Sequence, residues 1–252
     1  MSSRSTFELF GLVIHGFDSK EIFERLDDAI EHGQQTMIVT TNPEILMEAR
    51  RSPSYWQALR QADIRTVDSF GLSLAGRLKG AEPKRLTGVT LSEHLLQKAV
   101  ERNWKVAMIG GLPQSADKAA WEIRKSYPSL QIFAERGGDV TADGTDDDAG
   151  AEMRFRLTQF APDILLVAFG HPKQETWIVK NLAELPTVKV AVGVGGTLDY
   201  WAHAKQRAPI WMQSIGLEWL YRLIKEPTRW KRIFTAVFLF PLAVLQDSLL
   251  KK

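Results

Sequence analysis

The chain of 252 residues contains no cysteine. That excludes disulfides, thiolate metal ligands and cysteine nucleophiles, and it suits a reducing compartment. It also lacks an unbroken apolar run of the ~20 residues that a membrane-spanning helix needs. Its densest apolar stretch, "FTAVFLFPLAVL", has twelve residues and is interrupted by Pro241. There is no phosphate loop of the form G-x-x-x-x-G-K-[ST]. The dinucleotide pattern G-x-G-x-x-G is missing too: "GVGGTLD" begins it but puts Leu198 where the third glycine belongs. The N-terminal "MSSRSTFELFGLVIHGFD" has one early arginine and no apolar core ending at a small-residue cleavage site, so no signal peptide is expected.

What is present has the profile of a folded domain, 44% hydrophobic and 25% charged. The length suffices for one large α/β core with a small appendage. A net charge of +2 conceals an asymmetry, because from Lys205 onward nine Lys/Arg face three Asp/Glu. A basic tail on a slightly acidic body fits contact with phospholipid, a pyrophosphate or nucleic acid, and it equally fits a solvated helix face.

Apolar runs at 36–42, 64–68, 105–111, 131–138, 163–170 and 188–196 alternate with helix-periodic stretches. Such alternation implies βαβ units and a mostly parallel sheet with helices on both faces. The one long polar segment, "DVTADGTDDDAGAE", could be imagined as a carboxylate metal motif. Asp clustered beside Gly reads better as a solvated loop. After Gly196 the composition changes: four of the eight tryptophans and the basic excess follow. Trp and Arg/Lys suit a headgroup zone with Phe and Leu beneath, so this part reads as lying on a membrane. The alternative is a helix packed on the body or on another subunit.

In a parallel sheet, ligands bind beyond the carboxyl ends of the strands. The residues expected there are Thr40, Thr41, Asn42, Asp68, Gly110, Gly111, Gly170 to Glu175, Gly193, Gly195, Gly196 and Asp199. "MIGGLP" and "GVGGTLD" place paired glycines between strand and helix, where backbone can approach a phosphate; each pair could also be a plain tight turn. Asp68 could act as a general base or cap the helix that follows it.

The segments "TTNPEIL", "VDSFGL", "RLTGVTL", "MIGGLP", "PDILLVAFGHPKQETWI" and "GVGGTLDYWAHAKQRAPIWMQSIGLEWLYRLIKEPTRWKR" resemble, in order and spacing, the WecG/TagA/CpsF glycosyltransferases from about residue 8 to about 233. The resemblance implies a Rossmann-like catalytic domain (1–200) and a helical appendage (201–252) that completes the active site and touches the membrane. It implies an inverting transferase, needing no cofactor or metal. The sugar, N-acetylmannosamine in most of the family, would pass from a UDP-sugar to a polyprenyl-diphosphate-linked acceptor. The setting would be teichoic acid or cell-surface polysaccharide synthesis, on the cytoplasmic face of the plasma membrane. Asp68 would be the general base, with Thr40, Asn42 and Gln174 completing the catalytic set; Gln174 would hold substrate hydroxyls. Lys173 and Arg85 would meet phosphate, while Gly110, Gly111, Gly195, Gly196 and Asp199 would frame the UDP pocket. Arg207, Arg222, Arg229 and Arg232 would meet the acceptor diphosphate or lipid headgroups, with Pro227 breaking the helix between them.

Thr90 stands where many members carry Asp, Ser69 replaces a common Gly, and His171 replaces a small residue. The last twenty residues are more apolar than is usual, pointing to membrane insertion or a homo-oligomer contact. Two rivals are a Rossmann-type oxidoreductase, which lacks its fingerprint here, and a non-catalytic module binding nucleotide or lipid phosphate at a membrane. Nucleic acid is not an expected partner, because the basic residues cluster with Phe and Leu instead of forming a stripe with stackable aromatics.

Overall fold

The first regular elements of the computed structural model are a hairpin, β1 (Thr6–Leu9) and β2 (Leu12–His15). Phe10 and Gly11 close it at positive φ, 54° and 78°. Two-residue turns of this kind favour Asn-Gly or Asp-Gly. With Phe in the first place the turn carries no ordinary signal, and the hairpin has no counterpart among the strands expected above. The structure describes residues 5–250. Residues 1–4, part of the stretch read as lacking a leader, and Lys251 and Lys252 of the basic excess lie outside the described residues.

The six expected strands form within a few residues of their expected bounds. They are β3 (Thr36–Thr41), β4 (Ile64–Val67), β5 (Val106–Gly110), β6 (Ile132–Glu135), β7 (Ile164–Ala168) and β8 (Val190–Gly193). All pair in parallel in the order β4-β3-β8-β7-β5-β6, which brings their carboxyl ends to one edge. Except in β6, every residue of these six strands is buried, as a sheet covered on both faces requires.

The covering helices are α1 (Ser19–Glu31), α2 (Pro43–Ala49), α3 (Pro53–Gln61), α4 (Phe70–Leu78), α5 (Gly88–Arg102), α6 (Ser115–Ser126), α7 (Asp148–Phe160) and α8 (Lys173–Asn181). One core gathers Leu46, Leu59 and Trp177 with the hairpin's Leu9 and Ile14. The other, on the opposite face, gathers Ile22, Leu91, Leu95 and Ala119. The acidic loop is bonded to itself and to its neighbours: Thr145 donates to Asp143, Trp177 donates to Asp146, and Asp147 caps α7 by accepting from Gly150.

Beyond β8 come α9 (Thr197–Trp201), α10 (Ile210–Ser214) and α11 (Glu218–Lys225). Pro227 then ends α11 and starts a new helical segment, which runs on to Leu249. Here the sequence expectation needs correction: Pro241 does not interrupt this segment, and by length and composition its 23 residues could cross a bilayer. Proline has no N–H for the carbonyl four residues back. The turn before it, Thr235–Leu239, widens to a π-helix, which carries the chain past Pro241 without a break. One face of this C-terminal helix is docked on the body through Ile233, Phe240, Ala243 and Val244. Phe240 meets Phe10 edge-on at 6.2 Å, and Lys79 pairs with Asp247 at 2.8 Å.

A cationic cleft at the carboxyl edge of the sheet

The carboxyl ends of β3, β4, β7 and β8 open into a cleft of about 460 Å³, roofed by α11 and the start of the C-terminal helix. β3 delivers Thr40, whose hydroxyl donates to the carbonyl of Gly193 (2.8 Å), and Asn42, whose oxygen caps α2 by accepting from Ile45 N (3.1 Å).

β4 delivers Asp68. The cap of α4 is the next residue, Ser69, whose Oγ accepts from Leu72 N at 3.2 Å. The capping alternative for Asp68 is thereby removed, and its carboxyl faces the cleft. Burial pushes its pKa up to about 7 and the neighbouring Glu218 adds to the rise; Arg222, Arg207 and a hydrogen bond from the Gly88 amide pull the other way. A carboxyl poised near neutrality changes protonation state at little cost.

The cleft unites Thr40, Asn42, Asp68, Gly111, Gln174, Gly195, Gly196, Asp199, Arg207, Arg222, Arg229 and Arg232. Three expected residues stand apart. Gly110 is not among the lining residues, Lys173 is exposed at the outer start of α8, and Arg85 lines a second cavity, donating to the carbonyl of Gln213 at 2.8 Å.

Gln174 lines the cleft but is 2% exposed, with both ends of its amide engaged. Its oxygen accepts from the amides of Gly170 (3.2 Å) and Gly195 (3.0 Å). Its nitrogen donates to Glu175 Oε1 at 2.7 Å, and Tyr55 donates to the other Glu175 oxygen at 2.9 Å. Gln174 therefore lashes the loops after β7 and β8 together, with its amide engaged on both sides within the protein. Burial raises Glu175 to about 7, with the two donors opposing. β8 must end in glycine for this to fit, since a Cβ on Gly193 would lie 2.8 Å from Gln174 Nε2.

The glycine loops give close approach more than free donors. Gly111 N donates to Ala168 O (3.0 Å), and Gly195 N is held by Gln174. Asp199, in the cleft lining, accepts from Leu112 N at 2.9 Å and pairs with Lys205 at 3.3 Å. Positive charge in the cleft comes from side chains, with Lys205, Arg207, Arg222, Arg229 and Arg232 lining it beside Glu44, Asp68, Asp199 and Glu226.

Most of these cations are already paired. Arg222 holds Glu218 (2.6 Å), Arg229 holds Glu226 (3.5 Å) and Glu44 (3.6 Å), and Arg232 holds Glu44 (2.7 Å). Burial works against the ionised Glu44, yet Arg232 and Arg229 keep its pKa below the usual carboxylate range. Arg232 also touches the His171 ring at 3.0 Å, and burial with that cation lowers the His171 pKa to about 4. Arg207 differs: its contact is the Thr87 hydroxyl at 3.3 Å, and it forms no ion pair among the described residues.

Sequence reasoning missed Glu44, Tyr55 and Glu218. Glu44 comes two residues after the Asn42 cap, just past Pro43 at the first helical position, so its place in the first turn of α2 was a readable signal. The other two arrive from distant segments and carry no local mark.

Fold and cleft together define a parallel α/β protein with an arginine-lined ligand site at the sheet's carboxyl edge, organised around a carboxyl of raised pKa. Residues 7–252 match the model of the Glycosyl transferase WecG/TagA/CpsF family, and the chain belongs to that family. It is 30% identical over 207 residues to the N-acetylglucosaminyldiphosphoundecaprenol N-acetyl-beta-D-mannosaminyltransferase of Bacillus spizizenii, covering 82% of this chain and 77% of that protein. The protein of the same description from Staphylococcus aureus (strain MRSA252) is 34% identical over 197 residues, covering 78% and 73%.

Proposed function

We propose that this protein transfers N-acetylmannosamine from a UDP-linked donor to a sugar carried on polyprenyl diphosphate, with inversion and without a metal ion. The names of the two relatives supply the transferred sugar and the lipid-linked N-acetylglucosamine acceptor. The observation that carries the chemistry is Asp68, released from capping by Ser69 and held near neutrality in the cleft. In this reading the acceptor hydroxyl attacks the anomeric carbon while the bond to the UDP oxygen breaks, and Asp68 takes the hydroxyl proton. Negative charge grows on the departing diphosphate, and fixed cations stabilise it without reorganising. Arg207 is the first candidate, because its charge has no carboxylate partner to leave. Lys205, Arg222, Arg229 and Arg232 follow if phosphate displaces part of their pairing. Thr40 and Asn42 border the reacting sugar, Gln174 keeps the loops around it in register, and His171 buttresses Arg232.

The body up to about residue 200 serves as the catalytic domain and the remainder as its cover. The outer face of that cover attaches the enzyme peripherally to the inner surface of the plasma membrane. The test is direct: UDP-N-acetylmannosamine is incubated with a short-chain prenyl-diphospho-N-acetylglucosamine in EDTA. Product in which one N-acetylmannosamine is β-linked supports the proposal; donor left intact while the protein stays folded refutes it.

A further inference from the structure

A second cavity, of about 260 Å³, lies behind Asp68 and shares Asn42, Glu44, Asp68 and Arg222 with the main cleft. The two cavities differ in chemistry. The first is polar and cationic. The second is walled by Phe70, Trp219, Ile233, Val237, Phe240 and Pro241, and has Arg85 in its lining. Arg85 forms no ion pair among the described residues and is held only by the Gln213 carbonyl. Of the carboxylates in the lining besides Asp68, Glu218 is held by Arg222 and Glu44 by Arg232. A largely apolar chamber with a guanidinium that forms no ion pair, opening onto the Asp68 carboxyl, matches an amphiphile whose anionic group sits next to a hydrocarbon chain.

The path onward is apolar too. The C-terminal helix that forms one wall through Ile233, Val237 and Phe240 exposes Phe234, Phe238, Leu242 and Leu245 on its outer side. A chain leaving the cavity over that helix would stay on hydrocarbon instead of entering water.

On the reading given under Proposed function, we infer that this second cavity is the acceptor's entry site. The prenyl chain's first units lie against Trp219, Ile233, Val237 and Phe240, the diphosphate lies toward Arg85, and the sugar hydroxyl reaches Asp68 from the side opposite the donor cleft. The donor and the acceptor thus occupy separate chambers that meet at one carboxyl.

Ala236 lines the apolar half, and Ala236→Trp fills it. Two acceptors with the same sugar diphosphate, one on a farnesyl-length chain and one on a short hydrophilic linker, are assayed with wild type, Ala236→Trp and Arg85→Gln. Ala236→Trp is expected to raise KM for the prenyl acceptor about tenfold, with KM for the donor and for the short-linker acceptor unchanged. Arg85→Gln is expected to raise KM for both acceptors and to spare the donor. An unchanged prenyl-acceptor KM in Ala236→Trp, or equal losses for donor and acceptor, overturns the assignment. Val237→Phe narrows the same wall should the tryptophan variant fail to fold. Equilibrium binding of a fluorescent farnesyl diphosphate analogue gives a readout without turnover. If wild type binds it and Ala236→Trp does not, the cavity assignment stands even where no sugar is transferred and the proposed reaction fails. If wild type does not bind it, the cavity assignment fails on its own.

Discussion

Ser69 caps α4, and that one hydroxyl decides what Asp68 is free to do. From spacing alone the capping role of Asp68 read more strongly, because an aspartate at a strand exit before a helix suits a cap well, and only the family resemblance favoured the base. Only the position of the cap separates them. Asp68→Asn keeps the shape and removes the proposed base, so kcat should fall by roughly 10² to 10⁴ while donor affinity measured by calorimetry stays within a few-fold. The raised pKa fixes the pH response. Below about 7 the Asp68 carboxyl is protonated and cannot take a proton, so kcat/KM should fall about tenfold per unit below that point and level off above it. Glu175 is also raised to about 7 but lies behind Gln174. Glu175→Gln should therefore keep the same acidic limb; loss of the limb in that variant, and its retention in Asp68→Asn, would reverse the assignment. Gln174 shows the limit of residue-level reading. Its motif marked it as important, but both loop amides and Glu175 come to it through tertiary packing.

The elements were legible where periodicity is strong. Fully buried parallel strands are short apolar runs, which made five of the six readable; the half-buried edge strand β6 was readable from its apolar start, Ile132 to Ala134. The hairpin escaped because its strands have four residues each and its turn begins with Phe10. The C-terminal helix was underestimated because proline normally ends a helix, and a π turn that absorbs it leaves no trace in composition. β8 offers a test at this level. Gly193→Ala would push a methyl to within 2.8 Å of Gln174 Nε2 and 3.0 Å of Glu175 Oε1. Overpacking of that kind costs about 1–3 kcal/mol. Urea unfolding should show the midpoint lowered with the slope unchanged; an unaltered midpoint would mean that the end of β8 can yield.

At the scale of the whole molecule, the cover over the cleft is fastened by charge and turned outward by apolar residues. Glu44 holds Arg229 and Arg232, tying the cover to α2. The outer side of the C-terminal helix leaves Phe234, Phe238, Leu242, Leu245 and Leu249 exposed, the last at 72%. Isolated apolar residues on a surface mean little, but a row along one helix marks an interaction face. Its inner side is docked on the body, so only the outer side is available to lipid. Phe234→Ser with Phe238→Ser and Leu242→Ser should lower co-sedimentation with anionic liposomes severalfold while the circular dichroism spectrum is retained; undiminished sedimentation would assign attachment elsewhere. The basic, tryptophan-rich composition after Gly196 announced such a face, but only the docking contacts separate its two sides.

In the proposed function, cover, cleft and carboxyl meet in one reaction, and its rate is the decisive quantity. Transfer of N-acetylmannosamine to prenyl-diphospho-N-acetylglucosamine, followed in EDTA at pH 8 for wild type and Asp68→Asn, should give β-linked product with wild type and at least about a hundredfold less with the variant. Equal rates for the two proteins would contradict the assignment of Asp68 as the base, and with it the mechanism built around this cleft.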